Sequence, residues 1–113
     1  MEKFRVIISP ELQRKIKALN KEHRNLILKA FRKIKKMGLN AVTILRAHDN
    51  YLLCEIKYKK PPYRLYVTVD QKEKIFILCG WEHKEKQERM KNTLSKNIKE
   101  GVYEILRQNL FST

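Results

Sequence analysis

Residues 51–59 and 63–70 alternate between apolar and polar side chains, and this alternation constrains the fold more than any other feature of the sequence. Because successive side chains of a strand point to opposite faces, both segments are predicted to be strands with one apolar face. The other face gathers cations, a carboxylate and an aromatic ring, namely Glu55, Lys57, Lys59, Arg64 and Tyr66. This combination is typical of a surface that binds a phosphate backbone, so we predict a nucleic-acid site on it.

The N-terminal third predicts a strand followed by two helices. Residues 4–8 form a short strand, and Ser9-Pro10-Glu11 then supplies a cap, a first-turn proline and an acidic residue for the start of a helix. A second helix carries apolar residues on one arc and lysines and arginines on the other. We expect it to end at Gly38, because glycine adopts a left-handed conformation at low cost.

The remaining segments complete an α+β domain. Residues 41–45 are predicted to be extended, and residues 75–79 are apolar on both faces, which predicts a strand inside the sheet. Gly80 is expected to end this strand, a charged segment follows, and a last amphipathic helix starts near Ser95. The predicted order is βααβββα over residues 1–113: a small antiparallel β-sheet with two N-terminal helices packed on it and one C-terminal helix, in a single domain.

The charge of the chain indicates the kind of partner. The sequence has 26 Lys and Arg against 12 Asp and Glu, a net charge of +14. Such a surplus favours nucleic acid, an anionic membrane surface or an acidic protein as partner. No run approaches the roughly 20 apolar residues of a membrane-spanning helix, and no secretory signal is visible. We therefore expect a cytoplasmic protein that does not bind membranes.

The two cysteines give no sign of a disulfide or a metal site. Cys54 and Cys79 both lie in apolar strand patterns, as expected of small buried side chains in a reducing compartment. The sequence has no Cys-x-x-Cys and no histidine pairing at ligand spacing. We expect no metal and no cofactor.

Three short motifs in order along the chain resemble a known family. They are Glu55-Ile56-Lys57, then Tyr63-Arg64, then Leu78-Cys79-Gly80-Trp81 ahead of a lysine-rich segment. This pattern resembles the RelE/ParE superfamily, the toxins of bacterial and archaeal type II toxin–antitoxin modules, and in particular its HigB-like, phage-derived branch. The sequence departs from RelE at Glu55, where RelE has a lysine. It also departs after the glycine, where Glu82 and His83 precede Lys84 and Lys86.

The resemblance implies an activity and partners. RelE-like toxins are ribosome-dependent mRNA endonucleases, and a cognate antitoxin protein neutralises them. The chain would then act on mRNA at the ribosome and contact ribosomal RNA. The resemblance places catalytic cations at Lys57 and Arg64, with further cations after Gly80.

The residues suggest how metal-independent RNA cleavage could proceed, with the internal 2′-hydroxyl as nucleophile. Glu55 is the candidate base, with Lys57 as its alternative. The planar guanidinium of Arg64 suits phosphate oxygens. His83 is the candidate acid for the departing 5′ oxygen, because imidazole titrates near neutrality.

A second group of residues is expected to bind RNA without taking part in the chemistry. Exposed cations would contact the phosphate backbone, and two aromatic rings would stack on bases. The residues predicted for these contacts are Lys59, Lys60, Tyr66, Trp81, Lys84 and Lys86.

Two alternatives remain open from the sequence. The ParE branch of the same superfamily poisons DNA gyrase without cutting RNA, and this chain could act in the same way. It could also be a non-catalytic nucleic-acid-binding domain, which would show salt-dependent binding without cleavage.

Overall fold

The chain forms a sheet covered by helices on both faces, and the computed structural model describes its residues 4–111. This confirms the predicted α+β class. The elements, in chain order, are β1 (Arg5–Ile8), α1 (Pro10–Ala18), α2 (Lys21–Met37), β2 (Thr43–His48), β3 (Tyr51–Lys57), β4 (Tyr63–Asp70), β5 (Ile75–His83), α3 (Gln87–Lys99) and α4 (Val102–Phe111). Short 3-10 turns at Gly38–Ala41 and Lys84–Lys86 follow α2 and β5.

The sheet has five strands in the order β1-β5-β4-β3-β2. Strands β2 to β5 pair antiparallel, whereas β1 pairs parallel with β5, so the sheet is mixed and not wholly antiparallel. Every residue from Ile75 to Trp81 is buried. The apolar run therefore lies inside the sheet, as predicted, because helices cover it above and below.

Helices α1 and α2 cover one face of the sheet. The Ser9 hydroxyl accepts a hydrogen bond from the Leu12 amide at 3.2 Å, which caps α1 as the sequence predicts. The core between these helices and the sheet includes Leu12, Ile27, Ala30, Ile34, Leu52, Cys54, Leu65, Val67, Val69, Phe76, Leu78 and Trp81. The apolar face of β3 and β4 therefore packs against these helices, as predicted.

Helices α3 and α4 cover most of the other face, which the sequence predicted to be polar and open. Here the core consists of Tyr51, Leu53, Tyr66, Ile75, Ile77, Cys79, Leu94, Ile98 and Tyr103. The physical reason is that the apolar stripe of α3 needs a surface to bury, and this sheet face provides it. Only the end of this face, where β3 ends and β4 begins, keeps the predicted charged residues.

Four local features differ from the sequence prediction. Residues 43–48 form a full strand at the sheet edge, and α3 begins at Gln87 instead of Ser95. The C-terminal helical region is also split, because Gly101 has φ +75° between α3 and α4. Finally, β5 continues through Gly80 to His83 instead of ending at the glycine.

Strand β5 carries a bulge just before its end. Tyr66 pairs with Gly80 but Val67 pairs with Leu78, so Cys79 is an extra residue on β5. A bulge of one residue reverses the faces to which the following side chains point. A Cβ on Gly80 would lie 2.8 Å from Met90 Cε and 3.2 Å from Tyr66 Cδ2, so glycine also allows α3 to approach the sheet.

Gly38 ends α2 with φ +59°, as the sequence predicts. A Cβ there would lie 2.6 Å from two atoms of the Phe4 ring, whereas a Cβ on Gly101 would meet nothing within 4 Å. We expect Gly38→Ala to lower the free energy of unfolding by about 2–5 kcal/mol, from backbone strain plus overpacking. Gly101→Ala, which carries the backbone cost alone, should lower it by about 1–2 kcal/mol. Urea unfolding of both variants checks the difference, and equal losses would contradict this account.

Among residues 4–111, no helix combines the length and the apolar character needed to cross a bilayer.

Candidate functional site

The antiparallel pairing of β3 and β4 brings the predicted catalytic cations together. Lys57 lies directly opposite Arg64, and Glu55 lies opposite Tyr66 on the same face. Lys57 Nζ is 3.8 Å from Glu55 Oε2, and Arg64 Nε is 3.9 Å from Glu55 Oε1. One carboxylate is therefore shared by two cations at the end of the sheet.

The two cations differ in exposure and in the way they are held. The Lys57 side chain is 61% exposed, whereas that of Arg64 is 15% exposed. Arg64 Nη1 donates to the carbonyls of Tyr58 at 3.3 Å and Tyr63 at 3.2 Å, which fixes the guanidinium against the connection between β3 and β4. Arg64 is therefore a preorganised cation, and Lys57 is an exposed one.

Glu55 is buried, and α3 covers it. It is 1% exposed, and Gln87 Nε2 donates to its Oε1 at 2.8 Å. Gln87 is the first residue of α3. Sequence reasoning missed this residue because it placed the start of the helix at Ser95, and no local signal pairs Gln87 with a strand.

Three buried polar atoms of this site have no hydrogen-bond partner among the residues that the structure describes. They are Glu55 Oε2, Arg64 Nε and the Tyr66 hydroxyl oxygen. Burial, with a smaller contribution from the Glu55 carboxylate, raises the pKa of Tyr66 to about 12, so its hydroxyl stays protonated near neutrality. Buried polar atoms without a hydrogen bond are costly and are found at functional sites.

A second carboxylate borders the site on β5. Glu82 pairs with Arg64 across the strands. Its carboxylate lies 2.8 Å from Lys15 Nζ on α1 and 3.9 Å from Lys86 Nζ. Lys86 is therefore drawn toward Glu82, and Lys15 adds a cation that the sequence did not suggest.

His83 lies on the opposite sheet face from Glu55 and Arg64, so the position of its side chain does not support the predicted role as the acid at that site. It pairs with Tyr63, whose side chain belongs to the opposite face of the sheet. The bulge at Cys79 reverses the faces after it, whereas plain alternation would have put His83 beside the cations. The Nδ1 atom of His83 accepts from the Glu85 amide at 3.2 Å, which starts the 3-10 turn.

Tyr66 and Trp81 are not available for base stacking in this structure. Both are 0% exposed. Tyr66 lies under α3 in one core, and Trp81 lies in the other core because of the same bulge. Their large rings fill space between layers, which is the commoner use of such residues in a strand.

Trp81 belongs to a cluster of five aromatic side chains at the same end of the sheet, and we name it the aromatic cluster. Its members are His23, Tyr58, Tyr63, Trp81 and His83. Tyr63 stacks on Trp81 with ring centroids 5.1 Å apart and an interplanar angle of 18°. Sequence reasoning used Tyr63 only as part of a motif, and it did not consider His23, which α2 contributes.

The predicted backbone-binding lysines are exposed and lie beside these groups. Lys59 and Lys60 lie in the connection between β3 and β4, and Lys84 and Lys86 lie in the 3-10 turn after β5. The Lys84 amide donates to the Pro62 carbonyl at 2.9 Å, which joins the two segments. The four lysines therefore share one end of the sheet with Arg64, and their RNA-binding role stays a prediction.

The fold is shared with solved toxin structures. An archaeal RelE in a RelE–RelB complex from Pyrococcus horikoshii OT3 matches with a TM-score of 0.59 at 18% identity, over 74% of this chain and 96% of that chain. A free-state mutant of the E. coli toxin RelE matches with a TM-score of 0.62 at 14% identity, over 83% and 97%. The isolated E. coli RelE toxin matches with a TM-score of 0.56 at 15% identity, over 80% and 98%. At these identities the likeness shows a common fold.

Sequence comparisons add no further relative. No family model matches the chain. No curated protein matches it either.

Proposed function

We propose that this chain is a toxin of a type II toxin–antitoxin module in the RelE/ParE superfamily, and that it cleaves mRNA on the ribosome. The observation that carries the proposal is the pairing of Lys57 with Arg64 around one buried carboxylate, on a fold shared with RelE toxins. The net charge of +14 suits a nucleic-acid substrate. The narrower HigB-like placement rests on the sequence motifs and stays a prediction.

In the proposed mechanism, Arg64 and Lys57 act on the phosphate of the RNA. The 2′-oxygen of the RNA attacks the adjacent phosphorus, the bond from phosphorus to the 5′ oxygen breaks, and a 2′,3′-cyclic phosphate and a 5′-hydroxyl are formed. Arg64, held by two carbonyls, contacts the phosphate oxygens as negative charge develops. The exposed ammonium of Lys57 adds a second charge and can donate a proton to the departing 5′ oxygen.

Glu55 is proposed as the base that takes the 2′-hydroxyl proton. Its carboxylate lies between the two cations, so the proton acceptor is next to the phosphate-binding groups. Because Glu55 is 1% exposed, it reaches a substrate hydroxyl only after the Gln87 amide has been displaced. Catalytic hydrogen bonds are often incomplete before substrate binds.

The proposed partners are an antitoxin protein, mRNA and the ribosome. The solved complex of the Pyrococcus horikoshii RelE with RelB supports the expectation of a protein antitoxin. The positive surface favours an acidic antitoxin and RNA, because both present opposite charge.

The test is induced expression in a bacterial host, followed by mapping of RNA 5′ ends and measurement of DNA damage. We expect growth arrest together with new mRNA ends that carry 5′-hydroxyl groups. Growth arrest with DNA damage and intact mRNA would favour the gyrase-directed alternative. Strong salt-dependent RNA binding with neither arrest nor cleavage would favour a non-catalytic binding domain.

A further inference from the structure

We propose that Tyr63 of the aromatic cluster, with His23 and His83 beside it, forms a stacking subsite for an unpaired nucleobase of the bound RNA. This inference rests on the proposed function, because that function makes RNA the ligand. The subsite lies on the opposite face of the sheet from Glu55 and Arg64, at the same sheet end. The rings predicted for stacking from the sequence, Tyr66 and Trp81, are buried, and this subsite takes over their role.

Tyr63 is held rigidly by the residues beneath it. Its ring stacks on Trp81, which is fully buried, at 5.1 Å and 18°. The Trp81 indole Nε1–H donates to His23 Nδ1 at 3.0 Å, so the proton of a neutral His23 ring lies on Nε2. A ring that is already fixed loses little conformational entropy when a base stacks on it.

The outer rings of the aromatic cluster are accessible, and the inner ring is not. Tyr58, Tyr63, His23 and His83 are each partly exposed, whereas Trp81 is not. The two histidines meet Tyr63 edge-on, with centroids 4.6 Å and 5.6 Å from it and interplanar angles of 74° and 76°. A base placed against Tyr63 would therefore be bordered by imidazole edges that can form hydrogen bonds with it.

The surrounding charge suits a single-stranded nucleic acid. Lys59 and Lys60 lie between Tyr58 and Tyr63 in the sequence, and Lys84 follows His83; all three are exposed. One acidic residue borders the cluster: Glu85 Oε2 is 4.0 Å from His83 Nδ1. Aromatic rings among cations are the combination that proteins use to bind single strands through backbone and base together.

The position of Tyr63 in the chain links the subsite to the phosphate-binding group. Tyr63 and Arg64 are consecutive residues of β4, so their side chains leave the strand on opposite faces. An RNA strand that crosses this end of the sheet can present a phosphate to Arg64 and a neighbouring base to Tyr63. The subsite would thus help to set which phosphate meets the cations.

The test is binding of the full chain to two short 2′-O-methyl oligonucleotides of equal length, one with bases and one abasic. Neither can be cleaved through a 2′-hydroxyl, so binding is measured apart from cleavage. Trp81 is the single tryptophan of the sequence, and its fluorescence reports events at the aromatic cluster. We expect the base-bearing strand to bind more tightly and to change the Trp81 emission, and the abasic strand to leave it unchanged.

Two variants of Tyr63 test whether its ring causes the tighter binding of the base-bearing strand. Tyr63→Leu should weaken binding of the base-bearing strand by about 5- to 150-fold, as expected for the loss of one stacked base, and leave the abasic strand unaffected. Tyr63→Phe keeps the ring and should bind like the wild type. If Tyr63→Leu does not fold, His83→Ala, at a partly exposed position, should show a smaller loss for the base-bearing strand alone.

Equal affinity of the wild type for the two strands would overturn the stacking subsite, as would an equal loss for both strands in Tyr63→Leu. Binding to neither strand would overturn both this inference and the proposed RNA ligand. Base-dependent binding without growth arrest or mRNA cleavage would leave the subsite standing and refute the proposed enzyme activity alone.

Discussion

Lys57→Ala combined with Arg64→Ala is expected to relieve growth arrest and to slow cleavage of a reporter mRNA by at least about 10³-fold. The reason is that removing one preorganised charge-stabilising donor typically costs about 10²–10³-fold, and this variant removes both cations. Arg64→Ala alone should account for most of the loss, because Arg64 is the cation held in place by two carbonyls. The measurement is the rate of appearance of new mRNA 5′ ends after induction.

A control variant removes two positive charges from another part of the protein surface. Lys96 and Lys99 are exposed in the last turn of α3, and their double replacement by alanine also lowers the net charge by two. This control should remain toxic at normal abundance. Full toxicity of the Lys57 and Arg64 double variant at wild-type abundance would show that the site is assigned to the wrong residues.

Glu55→Gln is expected to slow cleavage by about 10²–10⁴-fold, the usual contribution of a positioned base. The side chain keeps its shape and can still accept a hydrogen bond from Gln87. Loss of the charge leaves Arg64 without its carboxylate, so we also expect the free energy of unfolding to fall by about 1–3 kcal/mol. Both quantities can be measured on purified protein, the first in a reconstituted translation reaction.

Comparison of Glu55→Gln with Gln87→Ala separates two roles for Glu55. Gln87→Ala removes the hydrogen bond but keeps the carboxylate, so this variant should keep most of the cleavage rate if Glu55 is the base. A small loss of rate in Glu55→Gln would mean that Glu55 only holds the two cations in place.

The layout of the sheet could be predicted because it depends on local patterns. The alternation in β3 and β4 determined which residues share a face, and the pairing then placed Lys57 opposite Arg64. The apolar run of β5 correctly indicated a strand inside the sheet and not at its edge. These inferences need only the period of a strand and the burial of apolar side chains.

The errors have two physical causes. The strand continues past Gly80, and the bulge at Cys79 reverses its faces, so Trp81 and His83 lie on the opposite face from the one that plain alternation would give. A bulge depends on how Gly80 packs against Tyr66 and α3, which a strand pattern does not reveal. The burial of Tyr66 and Glu55 depends on where α3 docks, and this is a contact between distant parts of the chain.

The parallel pairing of β1 with β5 determines when this fold can be completed. Arg5 pairs with Ile75 and Ile8 with Leu78, so the first strand has no sheet partner until most of the chain has been synthesised. Contacts between residues so far apart in sequence slow folding, because a long loop must close before they form. The β3–β4 hairpin, by contrast, can pair as soon as it is made. The cationic hairpin can therefore form early, whereas the sheet that supports it forms only after β5 joins β1 to β4.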